Sequence, residues 1–157
     1  YGIKLHPDFQ EFDIDDPRAD AIYRLAEGKL PILFHTGDHR YTWSRPYRLA
    51  RVMERFPELV CIGAHFGGWS CWQEAYDTYR GGRLYMDTSS SLMFLKPEEA
   101  LRFFEKFGVS HFFFGTDFPM WRHTDELKRF HALGLDAQTE GMLLSGNFER
   151  VVIRKEN

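Results

Sequence analysis

Three histidines and two aspartates, His6, His35, His65, Asp87 and Asp117, each stand where a short apolar run stops and a turn begins. The runs are Gly-Ile-Lys-Leu-His at 2–6, Pro-Ile-Leu-Phe-His-Thr-Gly at 31–37, Val-Cys-Ile-Gly-Ala-His-Phe-Gly-Gly at 60–68, Leu-Tyr-Met-Asp-Thr-Ser at 84–89 and Phe-Phe-Phe-Gly-Thr-Asp-Phe-Pro at 112–119. Imidazole nitrogen and carboxylate oxygen hold zinc and similar divalent ions, and catalytic metal sites keep one position open for water. His35, His65 and Asp117 therefore qualify as a set able to grip a cation if the chain brings them to one place. Each also fits a plainer role, a strand-end imidazole hydrogen-bonded to its surroundings or an aspartate capping the loop before Phe118-Pro119. What sets them apart is the same placement at successive strand ends.

Short apolar runs bounded by turns are the pattern of strands buried on both faces, and amphipathic stretches separate them, so the sheet is predicted to be parallel. In parallel α/β folds the rim formed by the strand C-termini is where chemistry is done. The strand ends at 6, 35, 65, 88 and 117 lie 29, 30, 23 and 29 positions apart, and a (β/α)8 barrel divides into units of about 31 residues. Helices are predicted over 17–27, with Pro17 in the first turn and Gly28 as the stop, and over 46–56, where Leu49, Val52, Met53 and Phe56 recur at helical spacing. Further helices are predicted over 69–80, over 97–107 with Leu101, Phe104 and Phe107 on one face, over 124–133 with Thr124 as N-cap, and near 137–145, with a final turn after Asn147.

Strict strand–helix alternation leaves an open doubly wound sheet or a piece of a barrel. The first strand is followed by His6-Pro7-Asp8, with no glycine to cradle a dinucleotide phosphate. Five units of about 31 residues nearly exhaust a 157-residue chain. The expected fold is thus α/β, parallel (β/α) units of a TIM barrel, five of eight strands in one incomplete domain spanning 1–157.

A net charge of −3 with 27% charged residues offers no basic face for nucleic acid. No segment approaches the ~20 unbroken apolar residues of a membrane span. Cys61 falls in a predicted strand and Cys71 on a predicted helix, so both read as buried free thiols of a reducing compartment. With no signal peptide visible, cytoplasm is the expected location. The chain starts at Tyr1, two residues before a strand core, which reads as a cut end. Aromatic content is 17%, and Phe66, Trp69, Trp72, Phe118 and Trp121 follow strand ends, where they serve either core packing or the wall of a pocket for an apolar or aromatic substrate. The stretch 38–45 carries His39, Arg40, Tyr41, Trp43 and Arg45. Arginine forks and rings at a barrel mouth suit a carboxylated aromatic substrate, and the alternative is a solvated loop whose arginines pair with Asp38 or other acids.

The phrases Gly-Ile-Lys-Leu-His-Pro (2–7), His-Thr-Gly (35–37), Ala-His-Phe-Gly-Gly (64–68), Met-Asp-Thr-Ser (86–89) and Phe-Gly-Thr-Asp-Phe-Pro (114–119), in this order, resemble the second half of an amidohydrolase-related TIM-barrel metal-dependent hydrolase. That branch also holds metal-dependent decarboxylases of aromatic and related acids. The resemblance makes these strands the fourth to eighth of the barrel. It implies His35 and Asp117 as metal ligands, with His65 either at the metal or polarising water or substrate. Lys4 matches a position that is a carboxylated lysine in dinuclear relatives and, in mononuclear ones, a plain buried lysine paired to a carboxylate. The family's first-strand His-x-His pair is absent from these 157 residues. Of the remaining histidines, His39 and His123 lie on the catalytic side, while His111 precedes its strand and His131 lies within a helix.

The resemblance further implies a divalent metal, zinc being the first expectation, and a water activated by it for attack on an amide, ester or lactone of a small-molecule substrate. Asp117 and His65 are then the catalytic groups, and Lys4, His6, Arg40, Arg45 and Trp121 line the substrate. Metal-dependent decarboxylation is the alternative. A reading of another class is a non-catalytic truncated half-barrel whose open sheet edges pair with another copy or another protein, and the expected partners are a second copy or the missing N-terminal half of the barrel.

Overall fold

Lys4, Leu33, Ile62 and Tyr85 lie in one row across the sheet, each paired with the next in parallel register. The computed structural model, which describes residues 1–153, holds one sheet of five parallel strands in sequence order. They are β1 (Ile3–Leu5), β2 (Ile32–Phe34), β3 (Cys61–Gly63), β4 (Leu84–Asp87) and β5 (Phe112–Phe113). Because side chains alternate across a strand, the intervening residues Ile32, Phe34, Cys61, Leu84, Met86 and Phe112 point the other way, and all are buried in the main core. The α/β parallel architecture is as the sequence implies, and the open sheet leaves β1 and β5 as its edges.

Between strands run α1 (Pro7–Gln10), α2 (Asp20–Ala26), α3 (Pro46–Arg55), α4 (Trp72–Thr78) and α5 (Pro97–Phe107); α6 (His123–His131) and α7 (Ala137–Gly141) follow β5. Proline opens α3 and α5 at the first turn, where its missing N–H costs nothing. In α5 the Glu99 side chain accepts from Lys96 N at 2.8 Å, satisfying one orphan donor of the helix start. Its buried face is Ala100, Phe103 and Phe104, with Phe107 packed against the same core; of the expected stripe Leu101 alone lies off it, 37% exposed. Phe66, Phe103, Phe104 and Phe112 form a ring cluster with centroids 4.8–5.7 Å apart. Burial of each such side chain is worth roughly 1.5–3 kcal/mol.

Three expected boundaries differ. The segment 17–27 is a 3-10 turn, Pro17–Ala19, running into α2, because the Asp16 carboxylate caps Arg18 N at 2.8 Å. The helix expected from 69 begins at Trp72, since the Trp69 backbone is bonded to the loop after β2. The N-cap of α6 is Arg122 rather than Thr124. After α7 the chain winds in two π-helical turns, Met142–Gly146 and Glu149–Ile153, and Val152 packs on Ile62 and Phe113 on the inner face of the sheet. Cys61 and Cys71 are buried free thiols, with Cys71 capping α4 rather than inside it. Among the described residues no helix is long and apolar enough to cross a membrane.

Candidate metal centre

His35 and His65 are brought together by the sheet. Strands β2 and β3 are in register, Phe34 opposite Gly63, and Ala64 N donates to Phe34 O at 2.9 Å. Past that bond both chains turn, and His65 Nε2 lies 3.1 Å from His35 Nδ1. His65 adopts φ +61°, a left-handed conformation costing about 1–3 kcal/mol outside glycine. Asp87 underwrites it. Asp87 Oδ1 accepts from His65 N at 3.0 Å and from Ser89 N at 3.0 Å, while Asp87 O accepts from Phe66 N at 2.7 Å. The indole of Trp72 donates to His65 O at 3.0 Å.

The tautomers follow from the donors available. Ser89 Oγ donates to Asp87 Oδ1, so toward His65 Nδ1, 2.9 Å away, it can only accept; Ser89 O, 3.0 Å from the same nitrogen, is likewise an acceptor. His65 Nδ1 must therefore carry the proton, leaving Nε2 as a lone pair that accepts from His35 Nδ1–H. The remaining nitrogen of His35, Nε2, is then a lone pair, the state in which imidazole binds a metal.

That nitrogen faces Asp8, a residue the sequence reading passed over as part of a turn. Asp8 Oδ2 is 3.4 Å from His35 Nε2 and accepts from Ser44 Oγ at 2.6 Å. His6 stacks on His35 with centroids 4.0 Å apart, and Phe9 stacks on the far side of His6 at 3.9 Å. His6, Asp8 and His35 each offer a ligand atom, all within 4.8 Å of one another. His6 Nδ1 and Asp8 Oδ1 are buried without a hydrogen-bond partner. Two imidazole nitrogens and a carboxylate oxygen are the donor types a divalent cation takes, although the stack keeps the His6 and His35 rings in nearly parallel planes. The available signal was spacing: a carboxylate two positions beyond a strand-end histidine, across a proline that turns the chain.

Electrostatics push the cluster toward its uncharged forms. Burial, then the neighbouring His65, His6 and Lys4, holds His35 down at about 2. Burial and Lys4 also lower His6. Burial raises the Asp8 carboxyl, and the charge of Asp38 adds to it.

The other expected site residues are placed as follows. Asp117 is exposed, at φ +56°, and its Oδ2 accepts from Ser90 Oγ at 2.6 Å; Trp121 Nε1 donates to the same hydroxyl oxygen at 2.8 Å. It is outside the His6–Asp8–His35 group. Lys4 is exposed on the inner face of β1 rather than buried. Arg40 grips Asp38 through two bonds, Nε to Oδ1 at 2.9 Å and Nη2 to Oδ2 at 2.6 Å, and Arg45 pairs with Glu74. Both guanidinium groups are thus engaged by acids of this chain. His39 Nδ1 contacts Ser70 Oγ at 2.9 Å, and His123 Nδ1 contacts Thr116 Oγ1 at 2.9 Å.

A family model described as Amidohydrolase matches residues 1–152. No curated protein matches the chain. Among solved structures, an uncharacterized TIM-barrel protein from Bordetella bronchiseptica superposes with a TM-score of 0.72 at 24% identity, over 89% of this chain and 52% of that one. The 5-carboxyvanillate decarboxylase of Sphingomonas paucimobilis gives 0.73 at 14% identity, over 96% and 57%. That of Novosphingobium aromaticivorans, complexed with manganese and 4-hydroxy-3-methoxy-5-nitrobenzoic acid, gives 0.72 at 16% identity, over 94% and 55%. At these identities the likeness is one of fold, a TIM barrel of which this chain spans little more than half the length.

Proposed function

The chain belongs to the amidohydrolase family, and from that premise we propose that it is the metal-binding part of a divalent-metal-dependent hydrolase acting on an amide, ester or lactone of a small molecule. The observation that carries this reading is the locked pair His35–His65 at the strand C-termini, which offers His35 Nε2 as a lone pair. A divalent ion held there would supply a Lewis acid and bring the pKa of water down to about 7. His35 would be the ligand, and His65 orients it by accepting a hydrogen bond from its Nδ1–H. For His65 to act on a substrate oxygen as well, its Nε2 must first leave His35. Asp117, exposed at the mouth and steadied by Ser90, takes the proton of the attacking water and returns it to the leaving group. Lys4, on the inner face below, attracts an anionic substrate, as do Arg40 and Arg45 where their acids can be displaced.

The fold likeness to 5-carboxyvanillate decarboxylases supports a second reading, loss of carbon dioxide from a carboxylated aromatic acid at the same site. One experiment separates the two. The chain is incubated with Mn2+ or Zn2+ and a panel of aryl esters, lactones, anilides and hydroxybenzoates, followed for hydrolysis and for released carbon dioxide. Metal-dependent hydrolysis that a chelator abolishes and His35→Ala removes supports the first reading; carbon dioxide release alone supports the second. Metal uptake by neither wild type nor variant overturns both.

A further inference from the structure

Of the two sheet edges, one is closed by the chain itself. At β5, Phe113 O accepts from Thr88 N at 3.0 Å, which turns the backbone groups of Phe112 and Phe114 away from β4. Those groups are taken: Phe112 O accepts from the Asn147 side chain at 2.9 Å, Phe112 N donates to Val109 O, and Phe114 N donates to Leu143 O at 2.8 Å. The turns after α7 thus occupy the place where a further strand would pair. At β1 the opposite holds. Ile3 N donates to Pro31 O at 3.0 Å and Leu5 O accepts from His35 N at 2.9 Å, so alternation turns the amides and carbonyls of Gly2 and Lys4 to the open side. Both residues are exposed, and a row of such groups is a template for another strand.

We propose that two copies of the chain join through β1, the two strands antiparallel about a twofold axis at Ile3. A sheet with a single free edge closes as a twofold pair and leaves no edge for a third copy. The register follows from the side chains. Lys4 opposite Lys4 would set two ammonium groups side by side on the inner face, a destabilising pair. With the axis at Ile3, Lys4 instead exchanges hydrogen bonds with Gly2 of the second copy, which has no side chain to obstruct it. Ile3 then meets Ile3 in a close pair without hydrogen bonds, and Tyr1 lies opposite Leu5. Antiparallel strands also bring Tyr1 of each copy to the C-terminal end of the other's β1, the end that carries Phe9. Tyr1 is 82% exposed and Phe9 81%, with one face of the Phe9 ring already stacked on His6. Four such rings offer roughly 600–1,000 Å² of surface to bury. The paired backbones add to this, toward the roughly 1,200 Å² of a stable interface.

The test is sedimentation velocity on the whole chain, in wild type, Lys4→Pro, Tyr1→Ser and Phe118→Ser, with oxidative crosslinking of Ile3→Cys alongside. Proline at position 4 deletes the outward N–H and leaves the bonds of Ile3 and Leu5 to β2 in place. The expected result is a wild-type particle of twice 18.6 kDa and a monomer in Lys4→Pro. Dimer affinity falls by on the order of tenfold in Tyr1→Ser. It is unchanged in Phe118→Ser, at an exposed ring just past β5. In Ile3→Cys the twofold sets the paired Cα atoms about 4.5 Å apart, within disulfide reach, so a crosslinked dimer forms. Cys61 and Cys71 are buried and take no part. Far-UV circular dichroism checks each fold; should Lys4→Pro unfold, the Ile3→Cys crosslink decides. A monomeric wild type overturns the proposal and leaves the edge to a strand of another polypeptide. A dimer that survives Lys4→Pro, dissociates in Phe118→Ser or fails to crosslink through Ile3→Cys overturns it as well.

Discussion

Gly37 and Trp69 meet backbone to backbone in an isolated parallel bridge. Asp38 N donates to Trp69 O at 2.8 Å, and Trp69 N donates to Thr36 O at 2.7 Å. The bridge continues the pairing of β2 and β3 past the strand ends, so the loops carrying His35 and His65 are stitched together. A Cβ on Gly37 would stand 2.3 Å from Trp69 O and 2.4 Å from Trp69 N, at φ +89°. We expect Gly37→Ala to destabilise the chain by about 3 kcal/mol or more, strain and backbone displacement adding, as read by urea unfolding. A loss under about 1 kcal/mol would show that the loops are not held by this bridge.

Ser89 fixes the His65 tautomer from both sides, as acceptor toward Nδ1 and donor toward Asp87. Ser89→Ala removes the hydroxyl and leaves the Ser89 carbonyl to do the work alone. Affinity for Mn2+ should fall about tenfold with the fold intact, the usual scale for an outer partner of a ligating imidazole. Unchanged affinity, measured by calorimetry, would mean that the His65 tautomer is not what presents His35.

Stability should depend on pH with a sign that can be worked out. The folded chain holds His35 at about 2 and His6 below its ordinary value, in both cases chiefly by burial, so between that range and about pH 6.5 the unfolded chain binds more protons. Stability therefore rises with pH up to about 6.5 and is lost progressively below it. Asp8, raised by burial, acts oppositely, and a change at His35 alone isolates the imidazole over the stretch from about pH 6.5 down to 5. Chemical denaturation of His35→Gln across this stretch should show a flatter slope than wild type. Equal slopes would remove the buried neutral imidazole from the account.

Trp121 acts on Asp117 through Ser90, whose hydroxyl accepts from the indole and donates to the carboxylate. Trp121→Phe keeps the ring and deletes that donor. If Asp117 is the proton-transfer group, kcat falls several-fold with KM little changed; a rise in KM alone would assign Trp121 to substrate contact instead.

Much of this was legible in the sequence. The strand ends could be read because five short apolar runs recur at nearly the barrel period, and the meeting of His35 with His65 follows once adjacent parallel strands pair in register. Asp8 was hidden because its approach to His35 depends on a four-residue helical turn, Pro7–Gln10, and on Ser44, thirty-six positions away. The early start assigned to α4 failed for a related reason: Trp69 has helix-like neighbours in sequence, but its backbone bonds belong to the loop of another strand. Asp117 stands out by its strand end and by the family resemblance, and nothing local announces that a serine from the preceding loop donates to one of its oxygens.

Ser44 has one hydroxyl proton and two claimants for it, Asp8 Oδ2 and the carbonyl of Gly37. Any change of charge at Asp8 alters which of them wins. A proton on the carboxylate frees the serine to brace the carbonyl, and an anionic Asp8 pulls it away. The rigidity of the seam between two loops is in this way tied to what the carboxylate holds, so that loading one side of the rim is felt as tightening on the other.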